Sequence, residues 1–522
     1  MICILAPQAY NHASHLVLAA LRRSVTYAQA RLISLVSLES KSPQIVLAIN
    51  PTEAFGEELL NWLNKGRRKL IIFGEVPTCL VHNLGFERVD WPVDSANWSR
   101  SKPAEIYKFS ESLGVIQYGE YVQALGGSAW RRPMERFDFM AEWNNLGYGA
   151  IRMDGSIWSL AAPLKTPLKY ELASLNVGGD VAVSYAALVD SEDTSVLWFN
   201  RAVGPMDSFE WRLIEEFIAN FRYQELPCYP VVLEIPWGHD AAVTMRLDCD
   251  EDVESARPLW DCYYKLNVPF SLAVHTSNLS DESHHPILRE IVEGCGSILS
   301  HTATHAPNWG GSYQAALIEG CSSKKLLEQV TGVKIKYAVS PFHQTPMYAL
   351  EGLVDAGYLG CIGGIICNDP EFLISRGGEL AYMPSGFIGH SQQIMLHGDC
   401  LISQDDALSV YKEAFCLAHE TKSLFGYLDH PFSSRYQYGW IDEKSRIDAH
   451  VALIAYIRSQ AVNPLFLSQN DAMDFLYSKT EIVVTGDHGK FCIQTALSSS
   501  ELRPTIEFKK QSFEACCGLA LQ

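Results

Sequence analysis

The sequence predicts an α/β protein in three parts: a layered α/β unit over residues 1–230, a β/α barrel over 231–479 and a small antiparallel element over 480–522. Three observations carry that expectation. Strand and helix signals alternate along the first part, as they do where a sheet is at least partly parallel. From Ala241 to about Tyr477 the pattern strand, loop, helix repeats, and residues capable of chemistry recur directly after the strands, where a β/α barrel gathers its active site. Beyond Thr480, short alternating runs (Glu481 to Val484, Lys490 to Thr495, Thr505 to Phe508) are separated by Asp487-His488-Gly489 and by a serine run.

In the first part, Ile2 to Leu5, Ile45 to Ile49 and Leu70 to Phe73 read as strands, and Phe55, Leu59 and Leu63 mark a helix face. Gly74 ends the third strand. Val181 to Ser184 and Val196 to Phe199 follow, then a helix over Ser208 to Phe221 with Trp211, Ile214, Phe217 and Ile218 on one side. This order resembles the flavodoxin-like fold of class I glutamine amidotransferases. The turn that would carry their nucleophile reads Gly74-Glu75-Val76, without cysteine or second glycine, and Cys79 is wrongly framed; a non-catalytic accessory domain is expected. Residues 99–162 are rich in Trp, Tyr and Gly, an insertion whose rings either pack a small core or line a sugar-binding surface. Leu226 to Trp237, with three prolines, reads as a linker.

In the second unit the repeat runs through Ala242 to Leu247, Val268 to Val274, Ile287 to Glu293, Ile298 to Ser300, Ser322 to Val330, Tyr337 to Val339, Ala349 to Ala356, Leu424 to Leu428 and Ile447 to Ser459. The bulk numbers agree with this organisation. At 522 residues the chain exceeds one ordinary core, and 48% apolar with 19% charged residues is the composition of a folded globular protein. A net charge of −19 argues against a nucleic-acid or anionic-membrane partner and favours a neutral or cationic substrate. The opening MICILAPQAY has no basic region before its apolar run and no cleavage site after it, so a first strand is read there and not a signal peptide. No apolar run approaches the roughly 20 residues that cross a bilayer. The 14 cysteines lack paired CxxC spacing and are expected to be buried free thiols in a reducing compartment. A cytoplasmic protein is the expectation, with a secreted chain trimmed of its signal as the alternative.

The chemistry centres on AVTMRLDCDED, Ala242 to Asp252, a buried strand running into a cluster of carboxylates. Asp248 and Asp250 are two apart, so on an extended backbone both point the same way, and two like charges so placed need a cation. His301 and His305 in SHTATH, Pro341 and Phe342 in VSPFHQTP, and His430 in YLDHPF lie downstream. Three rival readings fail locally. An EF-hand would need glycine at Val253 and glutamate at Leu259. A zincin helix would need glutamate at Thr302, and Thr304 and Pro307 disfavour the helix. A serine triad would need a GxSxG elbow, which does not occur.

The order Asp-x-Asp, His-xxx-His, Pro-Phe, Leu-x-His, with SKKLLEQVTG just ahead of the Pro-Phe piece, resembles the NodB-type polysaccharide deacetylases of carbohydrate esterase family four over about 240 residues. The resemblance implies a distorted barrel and a metal-dependent hydrolase removing N-acetyl groups from an amino sugar or polysaccharide. It makes Asp248 the general base, His430 the general acid and the backbone N–H of Phe342 an oxyanion donor. Asp250, His301 and His305 would hold one divalent transition metal, zinc ahead of cobalt, nickel or iron. Trp309 and His343 are expected to contact substrate, with His275 and His397 as further candidates after strands. Two departures stand out. The family's arginine two residues before the Pro-Phe proline is Val339 here, and its acidic fourth motif has no clear match in GYLGCIGGIICND, where Asp369 is poorly placed. Arg246, which leaves the strand on the same side as Asp248 and stands where the family has a small threonine, is the candidate replacement guanidinium, the alternative being that it points away or pairs with another acid. Hydrolysis of another amide or an O-acetyl ester, and a catalytically weak carbohydrate-binding or assembly protein, remain alternatives.

Overall fold

Among the described residues nine strands form the N-terminal sheet: β1 (Ile2–Leu5), β2 (Ala30–Leu32), β3 (Ile45–Ile49), β4 (Arg68–Phe73), β5 (Val115–Tyr118), β6 (Arg131–Pro133), β7 (Glu171–Val177), β8 (Asp180–Asp190) and β9 (Thr194–Phe199). The computed structural model describes residues 1–99, 114–134, 151–365, 375–396, 398, 406–498 and 502–522. The sheet order is β2-β1-β3-β4-β9-β8-β7-β5-β6. Its first five strands are parallel, joined by crossovers such as α1 (Asn11–Val25), and its last four are added antiparallel. Alternate residues of β3 enter two cores, Ile45, Leu47 and Ile49 on one face and Val46 and Ala48 on the other, which is why the strand carries no polar residue. Gly74 turns the chain after β4 with φ +83°; a Cβ there would meet Asn50 Oδ1 at 1.8 Å. Much of the aromatic insertion lies outside the described residues; within them Tyr118 and Trp130 are buried.

The second sheet closes on itself. Its parallel strands β11 (Ala241–Cys249), β12 (Ser271–Val274), β13 (Ser297–Ser300), β14 (Tyr337–Val339) and β15 (Gly360–Ile365) follow one another in space. β15 then pairs with β16 (Ile388–Gln392), and β17 (Ile394–Met395), the continuation of the same segment, pairs with β18 (Phe425–Asp429), which returns to β11. One segment, Ile388 to Met395, thus zips both free edges together. The wall is uneven at β11, whose Ala241–Thr244 end pairs with β19 (Pro464–Leu467) while its Leu247–Cys249 end pairs with β12. Inside, Ala242, Ala273, Leu299, Val339, Ile362 and Ile388 form one core with Met473 and Leu476 of a helix over Gln469–Thr480, which plugs the end where the strands begin. At Gly426 a Cβ would meet Gln392 Oε1 at 1.8 Å; the glycine admits this side chain, whose amide donates to Gln469 Oε1 at 2.6 Å.

Residues Leu226 to Trp237 are not a plain linker. Val231–Pro236 forms β10, paired antiparallel with β20 (Pro504–Phe508), which pairs in turn with β21 (Gln511–Glu514). The prolines sit at the ends of the strand, leaving Val231–Ile235 free to pair. A second three-stranded sheet joins Val483–Asp487, Lys490–Gln494 and Ala520–Leu521. Among the described residues no helix is long and apolar enough to cross a membrane. The two large sheets are bridged by a buried ion pair: Arg376 donates to Glu215 of the helix Ser208–Ala219 through Nε (3.0 Å) and Nη2 (2.7 Å). Arg376 also donates to the carbonyl of Thr421 at 2.6 Å and to the hydroxyl of Ser423. Burial alone would raise the Glu215 carboxyl, but the Arg376 guanidinium holds it below its ordinary value. Arg376→Met should therefore destabilise the fold by about 3–5 kcal/mol by stranding a buried carboxylate. The pair Arg376→Met with Glu215→Leu should regain most of that in denaturant unfolding, and no recovery would mean that the ion pair is not the bridge.

Candidate active site

Each candidate residue stands at or just past the end of a barrel strand, on the same mouth of the ring. Asp248 is on β11 and Asp250 one residue beyond it; His301 follows β13, Phe342 follows β14 and His430 follows β18. The His301 loop is not helical, in keeping with Thr304 and Pro307. Thr302 and His305 have φ of +70° and +55°, the Thr302 hydroxyl accepts the His305 N–H at 2.8 Å, and Glu319 accepts the N–H groups of Ala303 (2.8 Å) and Thr304 (2.9 Å). That clamp brings the two imidazoles together. Their Nε2 atoms are 3.1 Å apart and lie 3.7 Å (His301) and 3.4 Å (His305) from Asp250 Oδ1.

This cluster fits a cation. Asp250 Oδ1 is buried with no hydrogen-bond partner among the described residues. His301 Nδ1 lies 3.1 Å from the carbonyl of Val339, which fixes that nitrogen as the donor and leaves Nε2 as a lone pair toward Asp250. Burial lowers His301 to about 4; burial, with His301 as neighbour, lowers His305 to about 3, so both rings are neutral at pH 7. The His301 lone pair, the Nε2 of His305 and an unpartnered carboxylate oxygen, all within 4.8 Å of one another, form a donor set for a divalent transition metal.

Asp248 is held apart from this set. Arg246, fully buried, donates to it twice, Nε to Oδ1 at 2.5 Å and Nη2 to Oδ2 at 3.0 Å. Burial alone would raise the Asp248 carboxyl, yet Arg246, with smaller help from His301 and His430, keeps it far below the usual carboxylate range. On the other side, His430 Nε2 is 3.9 Å from Asp250 Oδ2, and the ring stacks on Tyr436 with centroids 5.3 Å apart. The backbone of His430 is pinned from behind. Its N–H donates to Asp429 at 2.8 Å and its carbonyl accepts from Arg446 at 2.6 Å. Asp429 is bound to Arg446 (3.2 Å) and His450 (2.9 Å), and His450 Nδ1 reaches the Tyr263 hydroxyl at 2.8 Å.

Phe342 and His343 both take left-handed backbone angles, φ +52° and +56°, and the Phe342 ring lies 4.5 Å from that of His305. His343 is buried near Asp248, and burial lowers it to about 3. His275 is engaged at both nitrogens, with Ser277 and Asn278 at 2.7 Å each. Trp309 is 0% exposed and packs in the core, so it offers no ring face to a substrate. His397 and Asp369 lie outside the described residues. Sequence reasoning missed Tyr436, whose hydroxyl donates to Asp250 Oδ2 at 3.0 Å, and Tyr438, whose ring is 5.3 Å from His430. The run YQYGW was their only signal, and it lies in an irregular loop without periodicity.

No family model matches the sequence, and no curated protein matches it significantly. Solved structures do. A family 4 acetyl xylan esterase from Clostridium thermocellum in complex with a cobalt ion shows 14% identity over 45% of this chain and 90% of its own, with a TM-score of 0.31. The catalytic domain of a peptidoglycan N-acetylglucosamine deacetylase from Eubacterium rectale shows 11% over 45% and 91%, TM-score 0.30. Puue allantoinase shows 11% over 46% and 92%, TM-score 0.36. At identities and TM-scores this low, function has to be read from the side chains.

Removing the guanidinium should reverse the effect of pH on stability. In the native protein the depressed Asp248 carboxyl contributes stability above the unfolded value near 3.9, lost as pH falls toward its folded value. In Arg246→Met the carboxyl is left to burial, which raises it, so its contribution improves on acidification. The stability gap between variant and native chain should narrow from pH 7 to pH 5 in denaturant unfolding; a constant gap would mean that Arg246 does not set the charge of Asp248.

Proposed function

We propose that this chain is a metal-dependent hydrolase that removes N-acetyl groups from an acetylated amino sugar or its polymer. The observation that carries the reading is the juxtaposition of Asp250, His301 and His305 with an Arg246-bound Asp248 on one side and His430 on the other. A divalent ion held there would supply Lewis acidity, polarising a carbonyl oxygen and bringing the pKa of water toward neutrality.

The chain's own groups divide the remaining work. Asp248, kept ionised by Arg246, takes the proton of the attacking water. The peptide N–H of Phe342, on the same mouth as the histidines, is assigned to the developing oxyanion. His430, its backbone fixed by Asp429 and Arg446, delivers a proton to the leaving amine. The rings of Phe342 and Tyr438 flank the mouth and suit the apolar faces of an uncharged pyranose. The bidentate contact of Arg246 with Asp248 favours an active site over a weak carbohydrate-binding protein, since it supplies the guanidinium that Val339 cannot. We further propose that the N-terminal unit is a flavodoxin-like accessory domain extended by four antiparallel strands; the parallel order β2-β1-β3-β4-β9 supports this.

Acetate release should follow addition of zinc or cobalt to chelated protein with chitooligosaccharide as substrate. Release only from acetylated xylan would move the substrate to an ester, and release from neither would end the hydrolase reading. Elemental analysis should find about one transition metal per chain, lost in Asp250→Ala and His305→Ala. His430→Asn should retain the metal and lower kcat by about 10²- to 10⁴-fold; loss of metal on that change would make His430 a ligand instead.

A further inference from the structure

The phenol of Tyr436 reaches into the histidine cluster. Its hydroxyl donates to Asp250 Oδ2 at 3.0 Å, with both residues buried, Tyr436 at 8% and Asp250 at 7% exposed. The two carboxylate oxygens therefore have different surroundings. Oδ2 accepts from Tyr436, whereas Oδ1 has no hydrogen-bond partner among the described residues and lies 3.4 Å from His305 Nε2 and 3.7 Å from His301 Nε2. His430 Nε2, 3.9 Å from Oδ2, is too distant to do what the phenol does. A carboxylate meets a metal ion through one oxygen or through both, and a hydrogen bond on one of them favours the first.

The loop that carries Tyr436 is tied to the same strand end a second time. The Ser433 hydroxyl accepts the N–H groups of Arg435 and Tyr436, each at 3.1 Å, and donates to Glu251 Oε1 at 3.1 Å. Glu251 follows Asp250 directly, so the two ties grip neighbouring residues. The Tyr436 ring is held as well. It stacks on His430 with centroids 5.3 Å apart and an interplanar angle of 16°, Tyr438 stacks on it at 5.5 Å, and the Arg435 guanidinium lies 4.8 Å from its centroid. Stacking on His430 would account for an aromatic residue here, but phenylalanine stacks equally well. It is the hydroxyl that calls for a separate reason, and Asp250 Oδ2 is its hydrogen-bond acceptor.

We propose that Tyr436 is a positioning residue of the metal centre: it reserves Asp250 Oδ2 and so presents the carboxylate to a divalent ion through Oδ1 alone, oriented before the ion arrives. The proposal rests on the metal-binding part of the reading above and is independent of the substrate. Without the hydroxyl, the Asp250 carboxylate is free to turn about its last bond, and the ion has to supply the ordering that the loop now supplies.

Competition for zinc and for cobalt between a chromophoric chelator and the metal-stripped full chain tests it. The native chain should take up one ion, and His305→Ala should lose it. Tyr436→Phe keeps the ring and removes only the hydroxyl, so it should weaken the affinity for both ions by about 10- to 100-fold, the usual worth of a group that orients a metal ligand. Ser433→Ala releases the loop from Glu251 and should weaken it by a smaller factor. Ser433 is partly exposed, so its variant carries the test if Tyr436→Phe does not fold. Unchanged or tighter binding in Tyr436→Phe, or in Ser433→Ala where that variant stands alone, would overturn the proposal and leave the metal centre in place. Loss as complete as in His305→Ala would also overturn it, by making Tyr436 a ligand. A native chain that binds neither ion would remove the metal centre and this role of Tyr436 together.

Discussion

Two carboxylates on one face of a buried strand repel each other, and the site is the resolution of that repulsion. Asp248 and Asp250 are both nearly inaccessible to water, so neither can rely on solvent for neutralisation. The chain answers them separately. Arg246, one strand repeat below, grips Asp248 with two hydrogen bonds, while Asp250 keeps one oxygen turned to a pair of neutral imidazoles. One acid is thereby held ionised at rest with its charge already balanced, and the other is left with an oxygen free to serve as a ligand. The loop clamp through Glu319, the tautomer set by Val339 and the pinning of His430 all preserve this division.

The barrel that presents these groups is not a simple oily core. Its lower half is apolar and plugged by Met473 and Leu476, but around its middle stand Thr244, Arg246, His390 and Gln392, all buried. Gln392 fits only because residue 426 is glycine. Polar interiors of this kind constrain which rotamers and registers are tolerated, since an unmet donor or acceptor is expensive.

Much of this was legible in the sequence, for a physical reason. Strands buried on both faces carry unbroken apolar runs, so Ile2–Leu5, Ile45–Ile49 and Tyr337–Val339 appear with the expected bounds. The period of two also placed Arg246 and Asp248 on one side, where they meet. Long-range pairing left no such trace. The closure by Ile388 to Met395 depends on both edges of one segment, and Val231–Pro236 looked like a linker because its partner lies at the far end of the chain. Tyr436 and the Asp429, Arg446 and His450 network were invisible because their residues are scattered and none is unusual alone. Trp309, expected to contact substrate, instead has its ring turned into the core.

The pairing of Val231–Pro236 with Pro504–Phe508 also bears on how the chain comes into being. A ribosome adding about 5–20 residues per second needs roughly ten seconds to a minute to pass from one strand to the other. The N-terminal sheet is already synthesised when that interval begins and the barrel strands are made during it, while β10 waits with an unpaired edge rich in valine and isoleucine. Arg376 meets Glu215 long before the last strands exist, so the bridge between the sheets can hold the nascent chain together while that edge stays open. The C-terminal strands then act as the final seam, and chains released before residue 514 leave an adhesive edge exposed to whatever other chains are near.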